Sequence, residues 1–527
     1  MSIRPSILRK AGIAALSLGL AAGVRIGTAA AGSAGAGSSG AGPRAIPTVT
    51  GPIAGTTQGN HAFDAAAYQA VPIDLAARGY REDEYFLGGT ANVYQYESVA
   101  DPLDTKVRVL RRGPYTNRIL VRRPTDPSRF SGNVIVELLN ATNNYDLPVL
   151  WSYSHDYFTS RGDVWIGITS KPVTIAGLKT FNPTRYAALS WANPNRNETA
   201  ASCPVLSSIV GGASHATEDG LLWDVLSQTG SLVRSDDPRS PLHGYKVRAV
   251  YAAGYSQSAI DLVAYINAIA PRVSGAPVFD GYLVGSGFGI AAPLDQCSTA
   301  PAAGDPRNVL RSRDAAIVAT QSQTDYRDAR QAYRADSDAA HDRYRYYEAA
   351  GPAHVVVEQT NSAANAADTH QAGGTTLVED YATCQAGAKL STFPGRYLLD
   401  ASFAALEGWV RDGRAPPHAP LLQATGTPPG NVTTLDGNGN GLGGVRAPEL
   451  DVPVATYTES TGASSLNCSL SGQVVDFSQA RLRSLYPTPA AYLSRFVGDT
   501  VSVARQGFLT PDDAAEAIAA ALGRSLR

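Results

Sequence analysis

The heptad Ala253-Gly254-Tyr255-Ser256-Gln257-Ser258-Ala259 sets one hydroxyl between small neighbours, where an apolar run ends and a helical pattern begins. A sharp strand-to-helix bend needs such neighbours, so that the backbone can reverse and push the middle side chain outward. Ser256 is therefore read as a nucleophile in a G-x-S-x-S turn. The spelling alone is weak, because a chain with 51 glycines produces such runs by chance and a helix-capping serine would look alike. The apolar run before it and the helix after it give it meaning.

A serine hydroxyl attacks poorly near neutral pH, so this chemistry requires a histidine base and a carboxylate to orient it, in the chain order Ser, acid, His. Asp325 follows the apolar run Ala315 to Thr320, and His354 follows Tyr344 to Ala349. Loops at the carboxyl ends of parallel strands open on one edge of a sheet, which lets Ser256, Asp325 and His354 converge. Asp328 and Asp336 are alternative acids. Of the eight histidines, His61 and His418 fall outside the inferred core and His155 lies on a helix. His215 and His243 precede the nucleophile strand, His341 precedes the last strand and His370 lies well past it, which favours His354. Two backbone N–H groups are expected to hold the developing oxyanion: that of Gln257, and that of Ala141 in the loop Leu139-Asn140-Ala141-Thr142-Asn143, with Asn140 and Thr142 as neighbouring candidates.

The elements that must position these residues read as an α/β fold. Tyr94–Tyr96, Val107–Leu110 and Arg118–Arg122 alternate with turn formers and suggest opening antiparallel strands. Val134 to Leu139, a helical stretch from Leu150 to Ser160 and Val164 to Ile168 spell a parallel crossover. The unit recurs with Leu221 to Val233, Val247 to Ala253 and a helix from Ala259 to Ile269. Further strands are placed at Tyr282 to Gly285, Ala315 to Thr320 and Tyr344 to Ala349, then a helix at Ala401 to Arg411. A doubly wound, mostly parallel sheet with long loop insertions accounts for this order. Beyond Pro416 the chain becomes rich in Pro and Gly, with helices expected at Pro487 to Phe496 and Pro511 to Leu522.

Arg4, Arg9 and Lys10 precede an apolar run from Ala11 to Val24, followed by Ala29, Ala30 and Ala31, the layout of a secretory signal peptide. That run has 14 residues, against the roughly 20 a spanning helix needs, so no stable membrane anchor is expected. The expected organisation is a signal peptide over 1–31, a flexible leader over 32–60, a core over 61–416 and a packed extension over 417–527, secreted or extracytoplasmic. Cleavage after Ala31 would remove four basic residues and no acid, taking the net charge from −2 to −6. No cationic surface for nucleic acid shows in those totals. Cys203, Cys297, Cys384 and Cys468 form an even set without metal or redox spacing, which predicts two disulfides in one of three pairings.

These residues resemble the α/β-hydrolases, and within them the large bacterial proteins described only as alpha/beta hydrolase domain proteins. The resemblance covers most of the chain after the signal. It rests on Val136-Glu137-Leu138-Leu139-Asn140, Gly254 to Ala259, Gln323-Thr324-Asp325, Glu348 to His354, Leu442-Gly443-Gly444-Val445-Arg446 and Asp451-Val452-Pro453. It implies a serine esterase working through an acyl-enzyme, with Ser256, Asp325 and His354 as triad and a small-molecule or polymer ester as substrate. Gln323 stands where a Glu is frequent, removing a competitor for Asp325, and valines follow His354 where an acidic residue is frequent.

No cofactor and no metal is needed for that reaction. Asp436-Gly437-Asn438-Gly439-Asn440-Gly441 begins like a calcium loop, but its twelfth position is Ala447, so a glycine-rich turn is expected. Tyr145, Trp151, Tyr153 and Tyr255 are candidates for a pocket lining or for ordinary core. The long connection 171–220 is a candidate lid or pocket wall, anchored by Tyr186 and Trp191. Two other readings remain open: a silent extracellular binding protein on the same fold, and an amidase or lactonase using the same triad.

Overall fold

Strands in which every residue is buried set the architecture. The computed structural model describes residues 42–98, 105–204, 206, 213–311 and 313–524, and the stretch read as a signal peptide lies outside them. The central sheet has ten strands: β1 (Thr48–Thr50), β2 (Tyr80–Tyr96), β3 (Val107–Pro124), β4 (Asn133–Leu138), β5 (Val164–Ile168), β6 (Ala249–Tyr255), β7 (Gly281–Gly285), β8 (Ala316–Gln321), β9 (Ser337–Ala339) and β10 (Asp342–Glu348). Their order is β1-β2-β3-β5-β4-β6-β7-β8-β10-β9. The pairs from β5 through β4, β6, β7 and β8 to β10 are parallel, whereas β1–β2, β2–β3, β3–β5 and β9–β10 are antiparallel. Strands β4 to β8 are buried at every position, as a parallel sheet covered on both faces requires. The fold is a large, mostly parallel α/β sheet flanked by helices.

Helices α1 (Val149–Arg161), α2 (Pro172–Phe181), α3 (Leu222–Arg234) and α4 (Gln257–Ala264) follow β4, β5, a long connection and β6 in turn. Helix α1 packs on the sheet and on the helix Arg396–Asp412, with the Phe158 and Phe403 rings 4.9 Å apart. The Arg122 guanidinium, fully buried, lies 4.4 Å from the Trp151 ring and 4.6 Å from that of Trp165. Trp151 thus belongs to the core, where its indole screens a charge taken out of water.

Three features go beyond the expected layout. The leader anticipated through residue 60 contains β1, because Thr48, Val49 and Thr50 pair with Gly88, Leu87 and Phe86 at the edge of β2. The division at 416/417 is crossed by a second sheet, in which Lys389–Leu390 pairs with Gln473–Asp476 and the latter with Ala455–Thr458. The opening strands are far longer than their apolar runs, since β2 and β3 also carry buried charges. Arg118 bonds Glu84 and, at 3.0 Å, Asp146, while Arg185 reaches Glu84 at 2.7 Å.

Cys203 pairs with Cys297 and Cys384 with Cys468. The first ties connection 171–220 to the loop beyond β7, and the second ties the turn just past the helix Leu377–Ala382 to the helix Leu466–Leu470. Such bonds belong to an oxidising environment. Among the described residues no helix is long and apolar enough to cross a membrane. Connection 171–220 is anchored on the sheet: Ser190 bridges Thr116 of β3, and the Tyr186 hydroxyl donates to Glu84 at 2.9 Å.

Two stability predictions follow from these contacts. The Cys384–Cys468 bond closes a loop spanning 84 residues, so replacing both cysteines by serine should cost about 2–4 kcal/mol, read as a lower melting temperature. Burial, with Asp163 beside it, pushes the Glu407 carboxyl from 4.5 to about 8. Between those values the unfolded chain has ionised while the folded one has not, so stability falls as pH rises. Glu407→Gln should flatten that part of a pH–melting profile.

Candidate active site

Tyr255 ends β6 and Gln257 begins α4, leaving Ser256 alone to turn the chain, with φ 60° and ψ −124°. Only glycine adopts that conformation readily, so the surroundings must hold it. A side chain on Gly254 would place Cβ 2.6 Å from the Ser258 carbonyl, which explains the glycine two residues earlier. Ser258 uses its hydroxyl where many such turns have a second glycine: Oγ accepts from the Tyr255 N–H at 3.0 Å and donates to the Tyr255 carbonyl at 3.1 Å. The Ser256 N–H donates to the Gly285 carbonyl at 2.9 Å, tying the bend to the end of β7. Positive φ recurs nearby at Asn144, Ser286 and Phe288, all in loops at the carboxyl ends of β4 and β7.

Asp325 and His354 meet. His354 Nδ1 lies 2.9 Å from each Asp325 oxygen, and both side chains are almost wholly buried. An ionised carboxylate only accepts, so Nδ1 carries the proton and Nε2 is left with the lone pair. Ser322 Oγ donates to Asp325 at 2.6 Å, and the His354 N–H donates to Thr324 Oγ1 at 3.1 Å. The hydroxyls of Tyr153 and Tyr255 donate to the His354 carbonyl at 3.3 and 3.0 Å. The His354 ring sits 5.1 Å from that of Tyr255, next to Ser256, and 5.4 Å from that of Phe288.

The oxyanion loop is arranged differently from expectation. Ala141 N–H, expected to face the oxyanion, donates instead to the Gln257 side chain, Oε1, at 2.9 Å. Thr142 N–H is taken by Asn140 Oδ1 at 2.8 Å, and Asn140 Nδ2 donates to the Tyr255 carbonyl at 3.0 Å. The Gln257 N–H stands at the first turn of α4, where helix geometry leaves such groups unpaired within the helix.

The alternatives separate cleanly. Asp336 faces His418 at 2.7 Å, away from His354. His61 has a buried partner in Asp368 at 2.8 Å and stacks on Tyr68, joining the N-terminal segment to a helix at 366–371. His215, His341 and His370 pair with Glu198, Asp314 and Glu379. Asp436 accepts from the N–H groups of Asn438 and Asn440 and pairs with Arg446, which makes the Asp436–Gly441 tract a side-chain-capped turn. Tyr145 bonds the Thr375 carbonyl.

Several neighbours had no readable signal. Phe288 lies outside any motif, has φ 54° and packs its ring 5.4 Å from that of His354. The C-terminal part also braces the site, since Thr324 Oγ1 donates to the Glu459 carbonyl at 2.6 Å and Val355 N–H to the Leu470 carbonyl at 3.0 Å. Glu348 accepts from Arg330 at 2.8 and 2.6 Å, and its carbonyl takes the Val445 N–H. Thr324 and Glu459 are 135 residues apart in sequence, a separation that local pattern reading does not span.

A family model described as an alpha/beta hydrolase domain matches residues 49–519. Among curated proteins none matches this sequence. Solved structures that resemble it include an alpha-beta serine hydrolase homologue from Coxiella burnetii, at 8% identity over 40% of this chain and 69% of that chain, with a TM-score of 0.21. Another is a dienelactone hydrolase from Anabaena variabilis, at 11% over 46% and 78%, TM-score 0.23. A third is the rice cell wall degrading esterase LipA from Xanthomonas oryzae, at 13% over 40% and 44%, TM-score 0.20. With a matching family model across nearly every described residue, the chain belongs to the alpha/beta hydrolase domain family.

Proposed function

We propose that this protein is an exported serine hydrolase that cleaves carboxylic esters through an acyl-enzyme on Ser256. The observation that carries the reading is a buried Asp325–His354 pair at 2.9 Å whose imidazole ring lies 5.1 Å from that of Tyr255, the residue before a serine held at φ 60° on a strand-to-helix bend. His354 Nε2 takes the Ser256 proton as Oγ bonds the acyl carbon, and returns it to the alkoxide as the ester C–O bond breaks. Water then repeats the sequence on the acyl-enzyme, releasing acid and serine. Asp325 keeps Nδ1 protonated and steadies the imidazolium. The Gln257 N–H, reinforced by the positive end of α4, stabilises the oxyanion. Export is supported by the charged and apolar N-terminal pattern and by two disulfides. The same triad can also cleave amides and lactones, so the substrate panel must contain all three classes.

Ser256→Ala should lower kcat on short p-nitrophenyl esters by about 10⁴-fold or more while the melting temperature stays near that of the wild type. A fluorophosphonate probe should label the wild type and not the variant. Unchanged turnover in Ser256→Ala, or a wild type inert to the probe, overturns the reading. Asp325→Asn should cost about 10²- to 10⁴-fold in kcat, because an asparagine at that position leaves the imidazole tautomer unfixed.

A further inference from the structure

A line of buried polar groups runs under the nucleophile turn, and the triad chemistry does not use it. Ala141 N–H donates to Gln257 Oε1 at 2.9 Å, Gln257 Nε2 donates to Asp261 Oδ2 at 2.6 Å, and Lys171 Nζ donates to Asp261 Oδ1 at 3.0 Å. Asp219 lies 3.6 Å from the same ammonium. Ala141, Gln257, Asp261 and Lys171 are each at most 3% exposed. Four polar groups this deep are costly unless every donor meets an acceptor, and the order of the chain leaves one arrangement. Turning the Gln257 carboxamide over would set its oxygen against the Asp261 carboxylate and its N–H₂ against the Ala141 N–H, two mismatches at once.

Every link comes from a different part of the sheet edge. Lys171 follows β5, Ala141 follows β4, and Gln257 and Asp261 lie one turn apart on α4. Asn140 Nδ2 already grips the Tyr255 carbonyl, so the β4 loop is held on both sides of Ser256, by Tyr255 before it and Gln257 after it. At the loop's far end Asp146 is held by Arg118 and Thr169. Burial raises the Asp261 carboxyl to about 6, and the nearby lysine opposes that rise.

We infer that Gln257 acts through its side chain as a positioning residue, clamping the β4 loop against the nucleophile, and that the Lys171–Asp261 pair determines which end of its carboxamide faces that loop. The clamp engages the Ala141 N–H in the resting site, so the free Gln257 N–H is the donor present before substrate arrives. This rests on the ester-hydrolase reading for its effect on rate, but not for its effect on the loop.

The test exchanges donor and acceptor. In Gln257→Glu a carboxylate would face that of Asp261, and the two can keep their contact only by sharing a proton; Lys171 and Asp219 are the other charged groups in the cluster. The ratio of variant to wild-type kcat should fall by about 10- to 100-fold as pH rises from 6 to about 9, with KM little changed. Hydrogen exchange of the Ala141 amide, compared with wild type at each pH, should quicken in parallel. The double variant Gln257→Glu/Asp261→Asn restores one acceptor facing one donor, and should return both readouts toward wild type at every pH. If the single variant does not fold, the double variant must fold and its Ala141 amide must exchange as slowly as in the wild type. A flat pH ratio, a loss confined to KM, or a double variant no better than the single one overturns the clamp. A wild type that hydrolyses no ester and takes no fluorophosphonate overturns the esterase reading instead, and the exchange measurement still decides the clamp.

Discussion

The backbone at Ser256 is the constraint around which the remaining structure is organised. A non-glycine residue in that region of φ and ψ costs of order 1–3 kcal/mol, and nothing in the residue itself offsets it. The offset comes from neighbours: a Gly254 with no room for a side chain, a Ser258 hydroxyl that bonds both polar groups of Tyr255, and a Gly285 carbonyl that takes the Ser256 N–H. Each needs β6, α4 and β7 in register. The parallel sheet therefore serves as the rigid frame that keeps one unfavourable residue in place, and further left-handed residues at Asn144, Ser286 and Phe288 lie on the same edge.

The C-terminal stretch completes that frame instead of forming a unit of its own. Leu470 and Gly472 grip Val355, Glu459 holds Thr324, and Val445 continues the end of β10 by pairing with Ala349 and Ala350. Two loops that carry the acid and the imidazole are thereby fixed from outside the sheet. Covalent links at 203–297 and 384–468 make the outer layers resistant to local opening.

Much of the central sheet was legible because its strands are continuous apolar runs: β5 coincides with Val164–Ile168, and β4, β6, β7, β8 and β10 lie within two residues of their expected starts. The pairing of Asp325 with His354 followed from strand order, since each lies in the loop just past the carboxyl end of a strand, β8 and β10. What escaped was set by partners far off in sequence. Edge strands β1 and β9 have three residues apiece and no periodicity to read. Hairpin β2–β3 hides arginines and glutamates inside the protein, where composition alone says surface. Ala141 looked like a free amide because backbone pattern says nothing about where the glutamine side chain at the end of the neighbouring strand will point.

Those two short edge strands have a consequence for association between copies of the chain. A sheet ten strands wide would offer long rows of unpaired amides at both flanks, and such rows recruit other chains into fibrils. Here each flank closes on a strand of only three residues, Thr48–Thr50 on one side and Ser337–Ala339 on the other. The outermost row at each margin thus offers another chain only three residues to pair with, in stubs too brief to signal themselves in the sequence.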